Sequence, residues 1–246
     1  MGIFATTAPV RDEERVWIEA QLRWLTEQFG RVMLGADAVL PTDDFFPGTY
    51  TGSVDNVREV IDRIAARMDV PPDTYVVELA DADDHGDAIA SLPGYRTTSG
   101  AAGEYRRTDS GGLLSISMTQ TSRPMSLVAT IAHHRLMGEG HVEPGRRDNE
   151  PLTDLATVYF GFGIFSANAA LEFAPTSRLN AAGERMTGWR SSRLGYLTEP
   201  MFGYALAYWS HLRGDDDPAW ARYVDANPKA YLRRGLKYLR TVSSGS

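Results

Sequence analysis

Apolar positions recur with helical spacing over residues 12–29, where Val16, Leu22, Leu25 and Phe29 repeat and Glu13, Glu14, Glu19 and Arg23 fill other faces. The pattern predicts an amphipathic helix that Gly30 stops. Ala38-Val39-Leu40 reads as a short strand running into the turn-rich segment Pro41–Gly48. Ser53 or Asp55 then caps a second helix to about Met68, with Val57, Val60, Ile61 and Ile64 on one face. After Pro71-Pro72, the stretch Thr74–Leu79 is strand-like by its β-branched and aromatic content.

Residues 81–103 are polar and glycine-rich and read as surface loop. Glu104–Arg107 and Leu113–Met118 flank Asp109-Ser110-Gly111-Gly112, a hairpin signal in which glycine supplies positive φ. Beyond Ser122-Arg123-Pro124 the pattern turns helical, over about 125–137, 151–173, 197–213 and 228–240. The fold class expected is α+β, in one domain spanning 1–246. Lobe 1–122 is mixed α/β with a small sheet and a hairpin, and it packs on a mostly helical lobe 123–246.

Composition narrows the chemistry. A chain of 246 residues with 43% hydrophobic and 23% charged content has the makings of an ordered core. At this length roughly 70–75% of the unfolded surface is buried, so neither disulfide nor metal is needed for stability. There is no cysteine, which removes thiol nucleophiles and Cys-ligated zinc or iron–sulfur centres. Any metal site must use His, Asp or Glu. A net charge of −7 argues against nucleic acid as a partner. Residues 1–7 lack a basic segment followed by a long apolar one, and the apolar stretch Leu155–Leu171 reads as a buried helix rather than a membrane span. The expectation is a cytoplasmic protein with no membrane partner.

Chemistry concentrates in one region. His133, His134 and His141, three of the five histidines, fall within nine residues, and Glu150 and Asp154 follow at i, i+4 on a probable helix face. A metal-binding Glu with an Asp behind it, steadying another ligand by a hydrogen bond, would use that spacing. The alternative makes Glu150 a compensator of the helix dipole beside Pro151, and Asp154 a solvated or capping residue. Spacing alone leaves both open.

Asn149-Glu150-Pro151-Leu152-Thr153-Asp154 resembles the Asn-Glu-x-x-x-Asp element of the thermolysin-like gluzincin metallopeptidases, which opens the helix supplying their third zinc ligand. The apolar run Leu127–Ala132, reaching a His after a β-hairpin, is similar to their active-site helix and the strands before it. A wider resemblance, from about Trp17 to Leu239, is to a group of uncharacterised bacterial proteins with a zincin-like core. Leu40-Pro41-Thr42, Phe45-Phe46-Pro47, Glu150–Phe165 and Trp189–Ala207 carry it. The resemblance implies a zincin-like fold and a zinc cofactor. It also implies ligands among His133, His134 and Glu150, Asp154 as the supporting carboxylate, and a cleft that takes a peptide or protein.

The chain departs from that family where catalysis would occur. Gluzincins carry His-Glu-x-x-His, because two imidazoles one turn apart grip one zinc and the Glu activates its water. Here His133 is followed by His134, and the positions four beyond them are Met137 and Gly138. Beside Ile-Ala-His-Glu-x-x-His-His-Arg-Leu, the chain is four residues short. One imidazole ligand and the general base are missing. His141 is the remaining imidazole, Glu139 the remaining nearby carboxylate, and Tyr204 (with Tyr196) an oxyanion donor of the type zinc peptidases use. Aromatic packing is the competing role for both tyrosines. The expectation is a degenerate gluzincin-like relative, inactive or impaired, in which zinc is weak or lost and a peptide-binding cleft remains. The alternatives are an active zinc-dependent hydrolase with a rearranged site, and a purely structural or binding protein.

Overall fold

The computed structural model describes residues 7–51, 53–80, 103–108, 111–117, 124–143, 145–170, 172–179, 185–192 and 196–244. Helix α1, Asp12–Phe29, lies where expected and buries Ile18, Leu22 and Leu25, whereas Val16, placed on the apolar face by its spacing, is exposed. Its basic and acidic residues pair along the surface, Arg15 with Asp12 at 2.6 Å and with Glu19 at 3.1 Å. A five-residue helix α2, Arg31–Gly35, follows Gly30. Helix α3, Val54–Arg67, starts where Ser53 accepts a hydrogen bond from the Asn56 N–H, and it buries Val57, Val60, Ile61 and Ile64.

Strand β1, Tyr75–Ala80, lies parallel to β3, Gly111–Ser117, and β2, Gly103–Thr108, pairs antiparallel on the other side of β3. The strand order is therefore β1-β3-β2. Thr108 pairs with Gly111, so Gly111 and Gly112 belong to the strand and only Asp109 and Ser110 connect the ladder. The polar stretch 81–102 lies outside the described residues.

Two expectations are corrected. Ala38-Val39-Leu40 is not a strand: it is irregular chain with one long-range backbone bond, from the Val39 N–H to the Gly161 carbonyl at 2.8 Å. The segment 151–173 is not one helix. Helix α5, Asn149–Tyr159, ends before Gly161, and helix α6, Gly163–Ala169, begins anew. Gly161 has φ +90°, and a Cβ there would stand 2.7 Å from the Arg67 guanidinium and 3.0 Å from the Asp37 carbonyl. The lobe 123–246 is mostly helical, as expected, and it also holds two strands that the pattern does not predict. Strands β4, Glu172–Leu179, and β5, Arg185–Ser192, form an antiparallel ladder there. Their sequences alternate poorly, with Thr176-Ser177-Arg178 paired to Gly188-Thr187-Met186 and with Pro175 inside, so the period-two signal is weak.

Helices α4, Pro124–His133, α7, Glu199–Leu212, and α8, Ala226–Ser243, agree with the expected positions. A turn of 3₁₀ helix, Ala219–Tyr223, separates the last two. One continuous apolar core runs from Ile18 to Leu239. α5 is buried from Leu152 to Tyr159, with Thr153, Asp154 and Thr157 among the buried residues, and α7 is buried from Phe202 to Ser210. No described helix is long and apolar enough to cross a membrane.

α7 and α8 meet through glycine. A Cβ on Gly203 would stand 2.5 Å from the Tyr231 Cβ and 2.7 Å from the Pro228 carbonyl, and one on Gly235 would stand 2.7 Å from the Ala207 Cβ. Gly203→Ala is expected to cost about 1–3 kcal/mol by overpacking, despite alanine's better helix propensity. Gly35→Ala, with nothing within 4 Å of its Cβ, is expected to be neutral or slightly stabilising. Urea denaturation of the two variants checks the contrast.

Candidate functional site

The histidine segment leaves α4 by a wide turn. Residues His134–Gly138 form a π-helical turn, in which the Glu139 N–H reaches back five residues to the His134 carbonyl at 3.2 Å. Such turns occur often at functional sites and redirect the side chains that follow. His134 is 1% exposed. Its Nε2 is 3.2 Å from the Thr74 hydroxyl, and its ring meets the Tyr75 ring edge-on at 5.7 Å. Burial, with the Arg135 and His133 charges behind it, pushes its pKa down to about 4. Burial also lowers the pKa of the neighbouring His133.

The exit from the turn is locked by ions and rings. Arg135 pairs with Glu139 and lies over the Phe29 ring at 4.9 Å. His141 meets the same ring edge-on at 4.8 Å, with Nε2 3.5 Å from the Glu139 carboxylate. Glu139 and His141 thus belong to a packed cluster around the end of α1. Arg135 and His141 both approach the same oxygen of the Glu139 carboxylate, and its other oxygen is buried with no hydrogen bond among the described residues.

α5 begins beside a second ion pair. Asp148, just ahead of it, accepts hydrogen bonds from Arg146 at 2.6 Å and from the Trp17 indole at 2.8 Å. The Arg146 hydrogen bond is the largest influence on Asp148 and, with the Trp17 bond, holds its pKa at about 2. Glu150, two residues on, is part-buried, and burial alone raises its pKa. Asp154, one turn further, is 9% exposed, and its Oδ2 accepts the backbone N–H groups of Tyr196 at 2.5 Å and Leu197 at 2.9 Å. The Tyr196 hydroxyl lies in the field of both Glu150 and Asp154, and with burial they raise its pKa. Tyr204 stands elsewhere, in the α1–α7 contact, and its hydroxyl donates to Glu19 at 2.6 Å. Burial and that bond raise its pKa strongly.

These positions test whether the set fits zinc. A zinc centre needs three or four His, Asp, Glu or Cys donors converging on one point. His134 turns toward Thr74, Glu139 toward Arg135, and Asp154 toward the chain ahead of α7. No three His, Asp or Glu side chains among the described residues form a group that could hold a metal ion. Among the described residues, His133, His134 and Glu150 are thus not grouped as a three-ligand gluzincin centre requires. Sequence reasoning passed over Arg135, Asp148 and Glu19. Arg135 and Glu139 carry an i, i+4 signal, whereas the Asp148–Trp17 and Tyr204–Glu19 bonds span more than a hundred residues and leave no local trace. No protein-family model, curated protein or solved structure matches this chain.

Two outcomes follow from these contacts. The unfolded His134 imidazole titrates near 6.5 and the folded one near 4, so the unfolded state takes up its proton first as pH falls. The stability this residue confers is present above about pH 6.5 and is lost toward pH 4, on the order of 3 kcal/mol. Denaturant melts across that range should show the slope, and His134→Gln, which keeps a partner for Thr74, should flatten it. Asp154→Ala strands two backbone donors ahead of α7 and is expected to cost about 2–4 kcal/mol in the same assay.

Proposed function

We propose that this chain is a zincin-like protein, of the kind the gluzincin resemblance implies, whose hydrolytic centre has become scaffold and whose role is to bind a peptide or protein rather than to cleave one. The observation that carries the reading is the separate engagement of the motif side chains. His134 engages Thr74 ahead of β1, Glu139 pairs with Arg135 in its own turn, and Asp154 ties the chain ahead of α7. Groups spent on Thr74, Arg135 and two backbone N–H groups are not arranged to polarise a water and a carbonyl together. Met137, standing four residues after His133, is 6% exposed and packs in the core, where a thioether needs no ligand.

One observation favours a second reading, an active metal-dependent hydrolase with a rebuilt site. Glu150 is a part-buried carboxylate with no hydrogen bond among the described residues, beside the Tyr196 hydroxyl. Raised carboxyl pKa values in such surroundings gather at functional sites. Both readings meet in one experiment, zinc stoichiometry by elemental analysis on protein purified without chelator, with Glu150→Ala alongside. The expected result is no zinc in either protein. About one zinc per chain, lost in the variant, would overturn the scaffold reading. Glu150→Gln adds a readout independent of metal. Burial penalises the charged carboxylate, so the amide is expected to stabilise the fold at neutral pH, with an advantage that shrinks as pH falls and the native carboxyl protonates.

A further inference from the structure

Helix α8 differs from the other long surface helices in how its charges are balanced. α1 pairs Arg11 with Glu14, Arg15 with Asp12 and Glu19, and Arg23 with Glu19, and α3 pairs Arg63 with Glu59. α8 carries Lys229, Arg233, Arg234, Lys237 and Arg240 and has no Asp or Glu along its length. None of the five makes an ion pair among the described residues, and the nearest acid in sequence, Asp225, precedes the first turn. Four of them are exposed, and Lys229 is part-exposed with its Nζ on the Arg222 carbonyl at 3.1 Å.

At 100° per residue the five cations fall within an arc of about 140°, over a length of about 16 Å. The opposite side holds Pro228, Leu232, Gly235, Leu236 and Leu239, all buried, and Gly235 approaches α7 directly. The apolar face is therefore used up in folding and the basic face is what remains outside. Lys229–Arg233 and Arg233–Lys237 are like-charge pairs at i, i+4, which oppose helix formation. Lys229 also sits in the first turn, where the helix dipole disfavours a cation. Lys229 recovers a bond to the Arg222 carbonyl and Arg240 suits the last turn of the helix, but Arg233, Arg234 and Lys237 have no such compensation among the described residues.

We propose that the exposed face of α8 docks an acidic segment of a partner protein. The match is one of charge and extent. A helical segment with glutamates or aspartates three and four residues apart places carboxylates at the same spacing as Lys229, Arg233, Lys237 and Arg240. The guanidinium forks of Arg233, Arg234 and Arg240 suit bidentate pairing with carboxylates. The protein as a whole carries a net charge of −7, so a long polyanion that ran beyond the stripe would meet repulsion. A short acidic segment stays within a Debye length, about 8 Å, of the cations it contacts.

The test is fluorescence anisotropy with a labelled, Glu-rich helical peptide of about 16 residues, titrated with the full chain. The wild-type chain is expected to bind, more weakly as salt rises. Arg233→Glu with Lys237→Glu and Arg240→Glu is expected to weaken binding at least about tenfold while leaving the circular dichroism spectrum unchanged. If the charge reversal perturbs folding, the three glutamine replacements serve in its place, with loss of binding again expected. Arg233→Lys with Arg240→Lys, which keeps the charge and removes two bidentate forks, is expected to bind more weakly than the wild type and more tightly than the reversed chain. Absence of binding by the wild-type chain at low salt would overturn the proposal, as would equal affinity in the reversed or neutralised chain. So would tighter binding to a single-stranded oligonucleotide of similar length, or to phosphatidylserine vesicles.

Discussion

A carboxylate inside an apolar core is tolerated only where donors surround it, and Asp154 sets that constraint here. It lies on α5, a helix buried from Leu152 to Tyr159. The backbone N–H groups of Tyr196 and Leu197 point at one oxygen of the carboxylate, and the Leu197 side chain beside them is fully buried. The charge and the two donors satisfy each other, where either alone would carry a desolvation cost of several kcal/mol. α7 begins two residues after Leu197. Near its far end the Trp209 indole N–H donates to the Tyr159 carbonyl at 3.2 Å, at the end of α5. Hydrophobic burial is non-directional. These two polar ties are what fix α5 against α7.

The chain between α1 and the Pro41 segment is then held by side chains reaching out from this pair of helices and from α3. The Tyr159 hydroxyl donates to the Gly30 carbonyl at 2.6 Å. Arg213, just past α7, lies over the Trp209 ring at 4.3 Å and donates to the Leu34 carbonyl at 2.6 Å and to the Ala36 carbonyl. Arg67 donates to the Asp37 carbonyl. Two guanidiniums thus take over carbonyls that a sheet would otherwise satisfy. Several donors in a rigid fork allow one side chain to serve two of them. Gly161 completes the arrangement, because only a residue without Cβ lets Arg67 and the Asp37 carbonyl come so close.

This explains which parts of the fold were legible in the sequence. α1 and α3 announce themselves because each buries one stripe and exposes another, and Ser53 marks the start of α3. β1 and the β2–β3 hairpin follow from local composition and turn residues. Val39 reads as a strand residue by its neighbours, yet its partner is Gly161, more than a hundred residues away, and the bond is a single one. The break after α5 hides in a run that is apolar throughout, where periodicity has no contrast to work with. β4 and β5 hide because Pro175, Gly188 and scattered polar residues break the alternation of their sequences. In the candidate site, the residue types and the helix under Asp154 could be read from spacing. The directions in which those side chains point could not, because Thr74, Tyr196 and Leu197 arrive from distant parts of the chain.

The chemistry that makes a residue a good metal ligand also makes it a good internal tie. A carboxylate accepts from an imidazole or from a backbone N–H with the same oxygen, and an imidazole bonds to a hydroxyl with the nitrogen that could bind zinc. On the proposed reading, little had to change for one use to become the other. Imidazoles gathered around an absent metal would leave buried polar atoms in search of partners, and near neutral pH they would repel as they charge. Met137 avoids that cost at the position four after His133 by filling apolar space, and Gly138 does so at the position four after His134 by presenting no side chain. His134 is left with Thr74 and Tyr75 and stays neutral under burial. Loss of the second imidazole and retention of Asp154 are then parts of one adjustment, in which the core keeps the polar groups it can satisfy without a metal.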